Sequence, residues 1–187
     1  MKLKIALSWF FIVIILVFSV ASKSNYSSSV QIPLQQWNFY AQVFPDTLTA
    51  SVPGCIHLDL LKNKILEEPF DGMNESKYQW IDTIEWIYET TFEIEKSQFN
   101  NFQHKELVFE GIDTHAEIFL NDKRIAFVNN MYRKWVFDVS ESLLIGTNKI
   151  KIKFKPAKLI NKNEAAKLAY QLPDERVFSR KAPYHFG

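Results

Sequence analysis

Between residues 84 and 95 apolar and polar side chains alternate almost without a break. Ile84, Trp86, Tyr88, Thr90, Phe92 and Ile94 fall on one side; Glu85, Glu89, Glu93 and Glu95 fall on the other. A period of two is that of a β-strand, whose successive side chains point to opposite faces. The stretch therefore predicts a half-buried antiparallel strand with a wet outer face. The row of glutamates invites an acid–base or cation site. Same-face neighbours along a strand sit about 7 Å apart and nothing converges them on a substrate, so the reading is a solvated face.

The same period recurs over 105–128, KELVFEGIDTHAEIFLNDKRIAFV. Leu107 and Phe109 alternate with Val108 and Glu110; Gly111 and Asp113 then mark a chain reversal. Ala116, Ile118 and Leu120 form one face of the next strand, Glu117 and Phe119 the other. Asn121-Asp122 suits a two-residue hairpin turn, since both types tolerate positive φ. Ile125 and Phe127 are expected to resume the inward pattern. Three short strands joined by tight turns predict the middle of a β-sandwich, not a catalytic motif.

Further along, Trp135, Phe137 and Val139 predict another strand with its core side marked by those three residues. Gly146-Thr147-Asn148 turns the chain into 149–155, where Ile150, Ile152 and Phe154 oppose Lys149, Lys151, Lys153 and Lys155. A lysine row is a common guard on an edge strand, which is the position expected here. Upstream, 34–39 and 47–52 read as short strands. Ile56, Leu60 and Leu61 follow Val52-Pro53-Gly54 with helical spacing up to about Lys62. Residues 97–105 read as a polar loop. Ala165, Leu168, Ala169 and Leu172 predict an amphipathic helix over 159–172, laid over the sandwich. The fold class is all-β, an antiparallel sandwich with one or two short surface helices.

Composition adds bounds. Aromatics make up 15% of the 187 residues, as a sheet core filled by rings requires. With 22 basic and 21 acidic residues the net charge is +1, which argues against nucleic-acid or membrane-surface binding by bulk charge. Lys2 and Lys4 precede an apolar run over 5–20 that ends in Ser19-Val20-Ala21. Residues 1–21 thus read as a signal peptide; the run is short for a bilayer span, so no stable membrane anchor is expected. Residues 22–36 are expected to be a disordered polar tail, and 37–187 the sandwich. Two triplets fit a secretory route, Asn25-Tyr26-Ser27 and Asn74-Glu75-Ser76, and Asn74 is the favoured glycan acceptor because its surroundings read as a polar loop.

Candidate chemistry is sparse. Cys55, the single cysteine, sits between Gly54 and Ile56 and reads as a small buried hydrophobe. His57, His104, His115 and His185 lack metal-ligand spacing, and His115 reads as a structural hydrogen-bonder. Trp80, Trp86 and Trp135 lie on patterns that place them in the core, not on a sugar-binding platform.

Several phrases together carry a resemblance. "FEGIDTHAEIFLND" and then "NNMYRKWVFDV", with "ASVPGCIHLDLLKNKIL" and "PFDGMNESKYQWID" before them, resemble the N-terminal domain of lysosomal-type β-mannosidases of glycoside hydrolase family 2. The resemblance covers 37–187. It implies a jelly-roll, galactose-binding-like sandwich, incomplete at its C-terminal end. It also implies an exo-acting, retaining enzyme that removes terminal β-D-mannose from glycoprotein-derived oligosaccharides. Such enzymes hold two glutamates about 5–5.5 Å apart, here expected downstream of Gly187 on a (β/α)₈ barrel. "RKAPYHFG" resembles the run leading into a Trp-Asp-Trp-Gly-Pro loop whose Trp and Asp touch substrate, immediately after Gly187.

By that resemblance the chain is an N-terminal fragment, inactive alone, with no catalytic, substrate-binding or metal-binding residue and no cofactor. Its partners would be a β-mannoside oligosaccharide, reached through downstream domains, and the barrel it packs against, with no nucleic acid. Its destination would be the secretory pathway, ending in the lysosome. Two alternatives stay open: a free-standing carbohydrate-binding or structural sandwich module, and a sister glycosidase such as a β-glucosaminidase or β-galactosidase.

Overall fold

The alternating stretch is the strand around which the fold is arranged. The computed structural model describes residues 29–170. The chain divides between Ile32 and Pro33; residues 29–32 have no regular structure, and the folded unit begins at Pro33. Its strands are β1 (Asn38–Ala41), β2 (Phe44–Thr49), β3 (Trp86–Ile94), β4 (Glu106–Phe109), β5 (Ala116–Leu120), β6 (Lys123–Val128), β7 (Trp135–Asp138) and β8 (Gly146–Phe154). Its helices are α1 (Ile56–Lys62), α2 (Asn74–Lys77), α3 (Lys96–Asn101) and α4 (Ala157–Ala165), with a 3₁₀ turn at Ile81–Thr83.

Six strands form one sheet in the order β2-β1-β3-β8-β5-β6, and β4 with β7 forms a two-stranded ribbon. All pairings are antiparallel. One hydrophobic cluster joins inward residues of both, among them Phe39, Tyr88, Ile118 and Ile150 from the large sheet with Leu107 from the ribbon and Val139 just beyond it. Two layers around one apolar core is the β-sandwich arrangement.

The inner face of β3 is as the alternation demands: Trp86, Tyr88, Thr90 and Ile94 are buried. Rings from four segments stack there. Phe39 lies 5.6 Å from Tyr88, and Trp86 lies 6.0 Å from Phe44 and 6.1 Å from Trp80. Buried aromatic pairs of this kind add to the area term of the hydrophobic effect. Asn121 and Asp122 carry φ of 50° and 63°, so the β5–β6 hairpin closes through a turn that needs two left-handed residues.

Several expectations require correction. The lysine strand, β8, is not an edge: it lies between β3 and β5. Lys149 meets Glu89, Lys151 meets Asp122 and Lys155, just past the strand, meets Glu85 and Glu117, so the row reflects charge pairing around a central strand. Phe127 is 52% exposed, while Ala126 faces Ile118 and the fully buried Val128 faces Ala116. A bulge between Ile118 and Phe119 shifts the register by one residue, which turns every later side chain to the opposite face. The first two strands begin and end elsewhere than expected, at 38–41 and 44–49.

The polar loop expected at 97–105 contains α3. Glu95 accepts the backbone N–H three residues on, and Gln98 Oε1 accepts the Glu95 N–H at 2.9 Å, a reciprocal capping box. The helix expected at 159–172 begins at Ala157, after Pro156, and ends at Ala165; Leu172 lies outside the described residues. None of its residues is buried, so no apolar face demands a longer helix. The expected tail does not extend to Gln36: Leu34 packs on the core, and Thr90 Oγ1 donates to the Gln35 carbonyl at 2.6 Å.

Asn148 has its side-chain amide fully occupied at the start of β8. Its Oδ1 accepts from the Leu144 N–H at 2.8 Å and from Asn121 Nδ2 at 2.9 Å; its Nδ2 donates to the carbonyls of Leu144 and Gly146. It is buried, and every donor and acceptor of the amide has a partner. Gly146, at φ 91°, supplies the left-handed residue that lets the chain enter β8 beneath it.

Candidate functional site

Three groups of ionisable side chains can be built up from the strands. The largest lies on the outer face of the six-stranded sheet. Register sets Glu89 opposite Lys151 and Glu117 opposite Lys153, with Lys149 and Lys155 one step along. Lys155 Nζ lies 2.5 Å from Glu85 Oε2 and 3.0 Å from Glu117 Oε2, so one ammonium bridges carboxylates from β5 and the residue preceding β3. Lys149 Nζ lies 2.9 Å from Glu89 Oε2, which also accepts from the Tyr40 hydroxyl at 3.3 Å.

This arrangement favours the ionised form of Glu117. The hydrogen bond from Lys155, with Arg124 assisting, keeps the Glu117 carboxyl below its usual range. A glycosidase acid needs the reverse, a carboxyl that retains its proton near neutral pH. The face is therefore a charge-paired scaffold. Of the glutamate row expected to be solvated, Glu93 and Glu95 are exposed, while Glu85 and Glu89 are half-sheltered by Lys155 and Lys149.

The second group is internal. Asp59 of α1 is 1% exposed, and its two oxygens accept separate hydrogen bonds. Ser51 N–H donates to Oδ1 at 2.8 Å and the Tyr88 hydroxyl donates to Oδ2 at 2.8 Å. Burial first, and then the hydrogen bond to Asp59, raise the Tyr88 hydroxyl well above the usual phenol range, so it stays a donor. The pair ties α1 to the inner face of β3. Its role is to fix an element in place; no substrate can reach it.

The third group, His104, Glu106 and Asp138, sits at one end of the ribbon. It borders an open depression of about 470 Å³ that Lys123, Arg124 and Ser140 also line. A second depression of about 390 Å³ is lined by Asn38, Thr49, Glu89, Thr91 and Lys149. Among the described residues no three His, Cys, Asp or Glu are placed to hold a metal ion.

The individual sequence candidates fall as follows. Trp86 is 5% exposed; Trp80 and Trp135 are half-buried against the core, so these rings pack inward as expected. His115 Nε2 donates to Asn161 Oδ1 at 3.1 Å, the structural bond anticipated for it. Cys55 is exposed, contrary to expectation, because it caps the start of α1 in extended conformation at the end of the proline turn.

Asn74 does not stand in an open loop. It begins α2, is 6% exposed, and its Nδ2 donates to the Glu68 carbonyl at 3.0 Å while its Oδ1 accepts from Lys77 Nζ at 2.8 Å. The nitrogen that would carry a glycan is the one that pins the 68–74 loop. Asn25, residues 1–21 expected as a signal peptide, and the "RKAPYHFG" run lie outside the described residues. Sequence reasoning missed the Asp59–Tyr88 pair and the His104 group. The first joins helix α1 to β3, and the second is completed by Asp138, which only the β4–β7 pairing brings beside His104 and Glu106.

Comparison with known proteins places this scaffold. Residues 35–187 match the profile of the family described as glycosyl hydrolase 2 galactose-binding domain-like. The β-mannosidase of Bos taurus is 34% identical over 127 residues, 67% of this chain and 14% of its own length. β-Mannosidase A of Aspergillus terreus is 32% identical over 129 residues, again 14% of its length. The solved structure of the β-D-mannosidase from Dictyoglomus thermophilum superimposes with a TM-score of 0.70 at 36% identity, covering 73% of this chain and 17% of that one. An exo-chitosanase from Amycolatopsis orientalis, at 18% identity and a TM-score of 0.60, shares the fold. The chain thus spans about one seventh of the curated relatives it matches. By its profile match, its sheet topology and its relatives, this chain belongs to the galactose-binding-like domain family of the glycosyl hydrolase 2 enzymes.

Proposed function

We propose that this chain is the N-terminal, non-catalytic domain of an exo-acting, retaining β-mannosidase. The parent enzyme removes terminal β-D-mannose from glycoprotein-derived oligosaccharides. Its two catalytic glutamates and the substrate-touching Trp and Asp belong to residues outside these 187. The observation that carries the reading is the similarity to β-mannosidases from a mammal, a fungus and a bacterium, each across only a small share of its length. Glu85, Glu117 and Asp59 support it from the other side, being engaged in ion pairs and a core hydrogen bond.

On this reading the domain packs against the catalytic barrel and needs no cofactor of its own. Residues 1–21 direct it to the secretory pathway and the lysosome. Glycan attachment is proposed at Asn25 in preference to Asn74, whose amide nitrogen is engaged in the folded domain.

The test is a domain exchange. This chain is grafted in place of the corresponding segment of the Dictyoglomus thermophilum enzyme and assayed on aryl β-mannoside, β-glucosaminide and β-galactoside, beside the unfused chain. The expected result is mannoside turnover by the chimera alone. Turnover by the purified unfused chain would overturn the non-catalytic assignment. A folded chimera that has lost mannoside turnover, or now prefers another glycoside, would favour a sister glycosidase.

A further inference from the structure

We propose that His104 is a proton-dependent clasp that holds closed one end of the β4–β7 ribbon. Glu106 and Asp138 stand directly opposite one another as the terminal pair of that ribbon. Two carboxylates in such a position repel and weaken the strand pair. The His104 ring lies between them, with Nε2 2.9 Å from Glu106 Oε1 and Nδ1 3.3 Å from Asp138 Oδ2.

The contact to Glu106 is a hydrogen bond and the contact to Asp138 an ion pair. An ionised carboxylate only accepts hydrogen bonds, and a neutral imidazole carries a single N–H and no charge. Only the imidazolium serves both, donating to Glu106 while bringing Asp138 the positive charge that the acidic pair lacks. A neutral ring would direct a lone pair at one carboxylate and leave the two acids opposed.

The surroundings fix the acids in place. Ser140 N–H donates to Asp138 Oδ1 at 2.9 Å, Lys105 N–H donates to Ser140 Oγ at 2.9 Å, and Val139 N–H donates to the Lys105 carbonyl at 2.9 Å. Hydrogen bonds from the Ser140 hydroxyl and N–H keep the Asp138 carboxyl below its usual range. Other charges facing the ring come from β6 and from the segment after β7. Lys123 and Arg124 line the same depression and disfavour the imidazolium, while Glu141 favours it. Arg124 is engaged by Glu117 at 3.2 Å, and Lys123 Nζ lies 3.4 Å from Ser142 Oγ. On its own segment, the Lys105 ammonium is turned to the Phe102 carbonyl at 2.6 Å. The two carboxylates in contact therefore prevail. The hydrogen bond to Glu106 first, and then the charge of Asp138, raise His104 above the ordinary histidine value.

The sign follows. With the folded value raised, the stabilisation is complete below the unfolded value of about 6.5 and is lost as pH climbs through the folded one. The ribbon end is closed in mildly acidic surroundings and loosens as they become alkaline. The clasp acts whether or not the parent enzyme hydrolyses mannosides.

The experiment is an NMR titration of the histidine rings in the full 187-residue chain, across the window in which histidine changes charge. Amide exchange of Leu107 and Phe137 is followed in parallel and normalised to intrinsic rates. His104 is expected to titrate above about 6.5, with both ring nitrogens protonated below its midpoint. D138N should lower that midpoint. Protection of Leu107 and Phe137 should fall several-fold as the ring loses its proton, and H104Q should abolish this pH dependence without altering protection of Ile152. A midpoint at or below about 6.5, an unchanged midpoint in D138N, or ribbon protection indifferent to the titration would each overturn the clasp.

Discussion

In the large sheet β3, β8 and β5 each have a hydrogen-bonded neighbour on both edges; among the described residues, neither strand of the ribbon does. The β3–β8 register runs unbroken from Trp86 opposite Phe154 to Ile94 opposite Gly146, whereas β4 and β7 pair only from Glu106–Asp138 to Phe109–Trp135. Their outer faces differ as well. The large sheet shows interlocked Glu and Lys, while the ribbon shows Val108 directly opposite Val136, both exposed. An isolated two-stranded pair is marginal in water. The ribbon persists because its inner residues, Leu107, Phe109, Trp135 and Phe137, pack on the core the large sheet provides. One layer makes the core and the other depends on it.

The largest test of that asymmetry is a matched truncation. Ile118→Ala removes a fully buried side chain from β5 and should cost about 2–5 kcal/mol in chemical denaturation. Val136→Ala on the ribbon should stay within about 0.5 kcal/mol. Equal losses would mean the two layers carry the fold equally. Next comes Asp59→Ala, which leaves the buried Tyr88 hydroxyl and the Ser51 N–H without their acceptor. Each orphaned group costs about 1–3 kcal/mol, so a loss of about 3 kcal/mol is expected, with Asp59→Asn milder. A loss under about 1 kcal/mol would show that α1 is held by packing alone.

Amide exchange sharpens the comparison without a mutation. Ile150 and Ile152 should exchange only on global unfolding, and Val108 and Val136 through local opening at lower free energy. Uniform protection would make the ribbon an equal partner. The smallest effect belongs to the outer face. Lys155→Met removes the ammonium bridging Glu85 and Glu117, and at neutral pH should change stability by about 1 kcal/mol or less. Because the Glu117 carboxyl is depressed, its contribution is present above the unfolded value and fades as pH falls through the folded one. The native chain should therefore lose more stability than Lys155→Met in strong acid, as read from melting profiles; parallel profiles would show that the bridge contributes nothing.

The sequence made faces legible and neighbours illegible. Alternation placed Trp86, Tyr88, Ile118 and Ile150 inward correctly, because a period of two is a property of the strand itself. It could not say that the lysines of β8 sit between two strands, since strand order is settled by long-range pairing. Phe127 was misassigned because one bulged residue leaves no mark on composition yet reverses every position after it. The α3 cap escaped notice because Glu95, not Ser or Thr, opens it. Asn74 illustrates the same limit for function: its triplet signals chemical eligibility, while burial of its amide is decided by Glu68 and Lys77. The enzymatic reading came from shared phrases with a family, and no periodicity could have supplied it.

Asn148 has a consequence for how the sheet finds its alignment. The lysines of β8 recur every second residue, so sliding that strand by two leaves Glu89 still facing a lysine and every apolar side chain still facing inward. Charge and hydrophobicity together are thus degenerate to such a slip. The Asn148 bonds to Leu144 and Gly146 travel with the strand. Only one alignment sets Asn121 where its Nδ2 reaches Asn148 Oδ1 and its Oδ1 accepts from the Lys149 N–H, and this breaks the degeneracy. Any shifted alignment would forfeit the paired Asn121 bonds to Asn148 and Lys149, at a cost of about 1–3 kcal/mol for each group left unsatisfied. A single saturated side chain serves as the index mark on an otherwise repeating ruler.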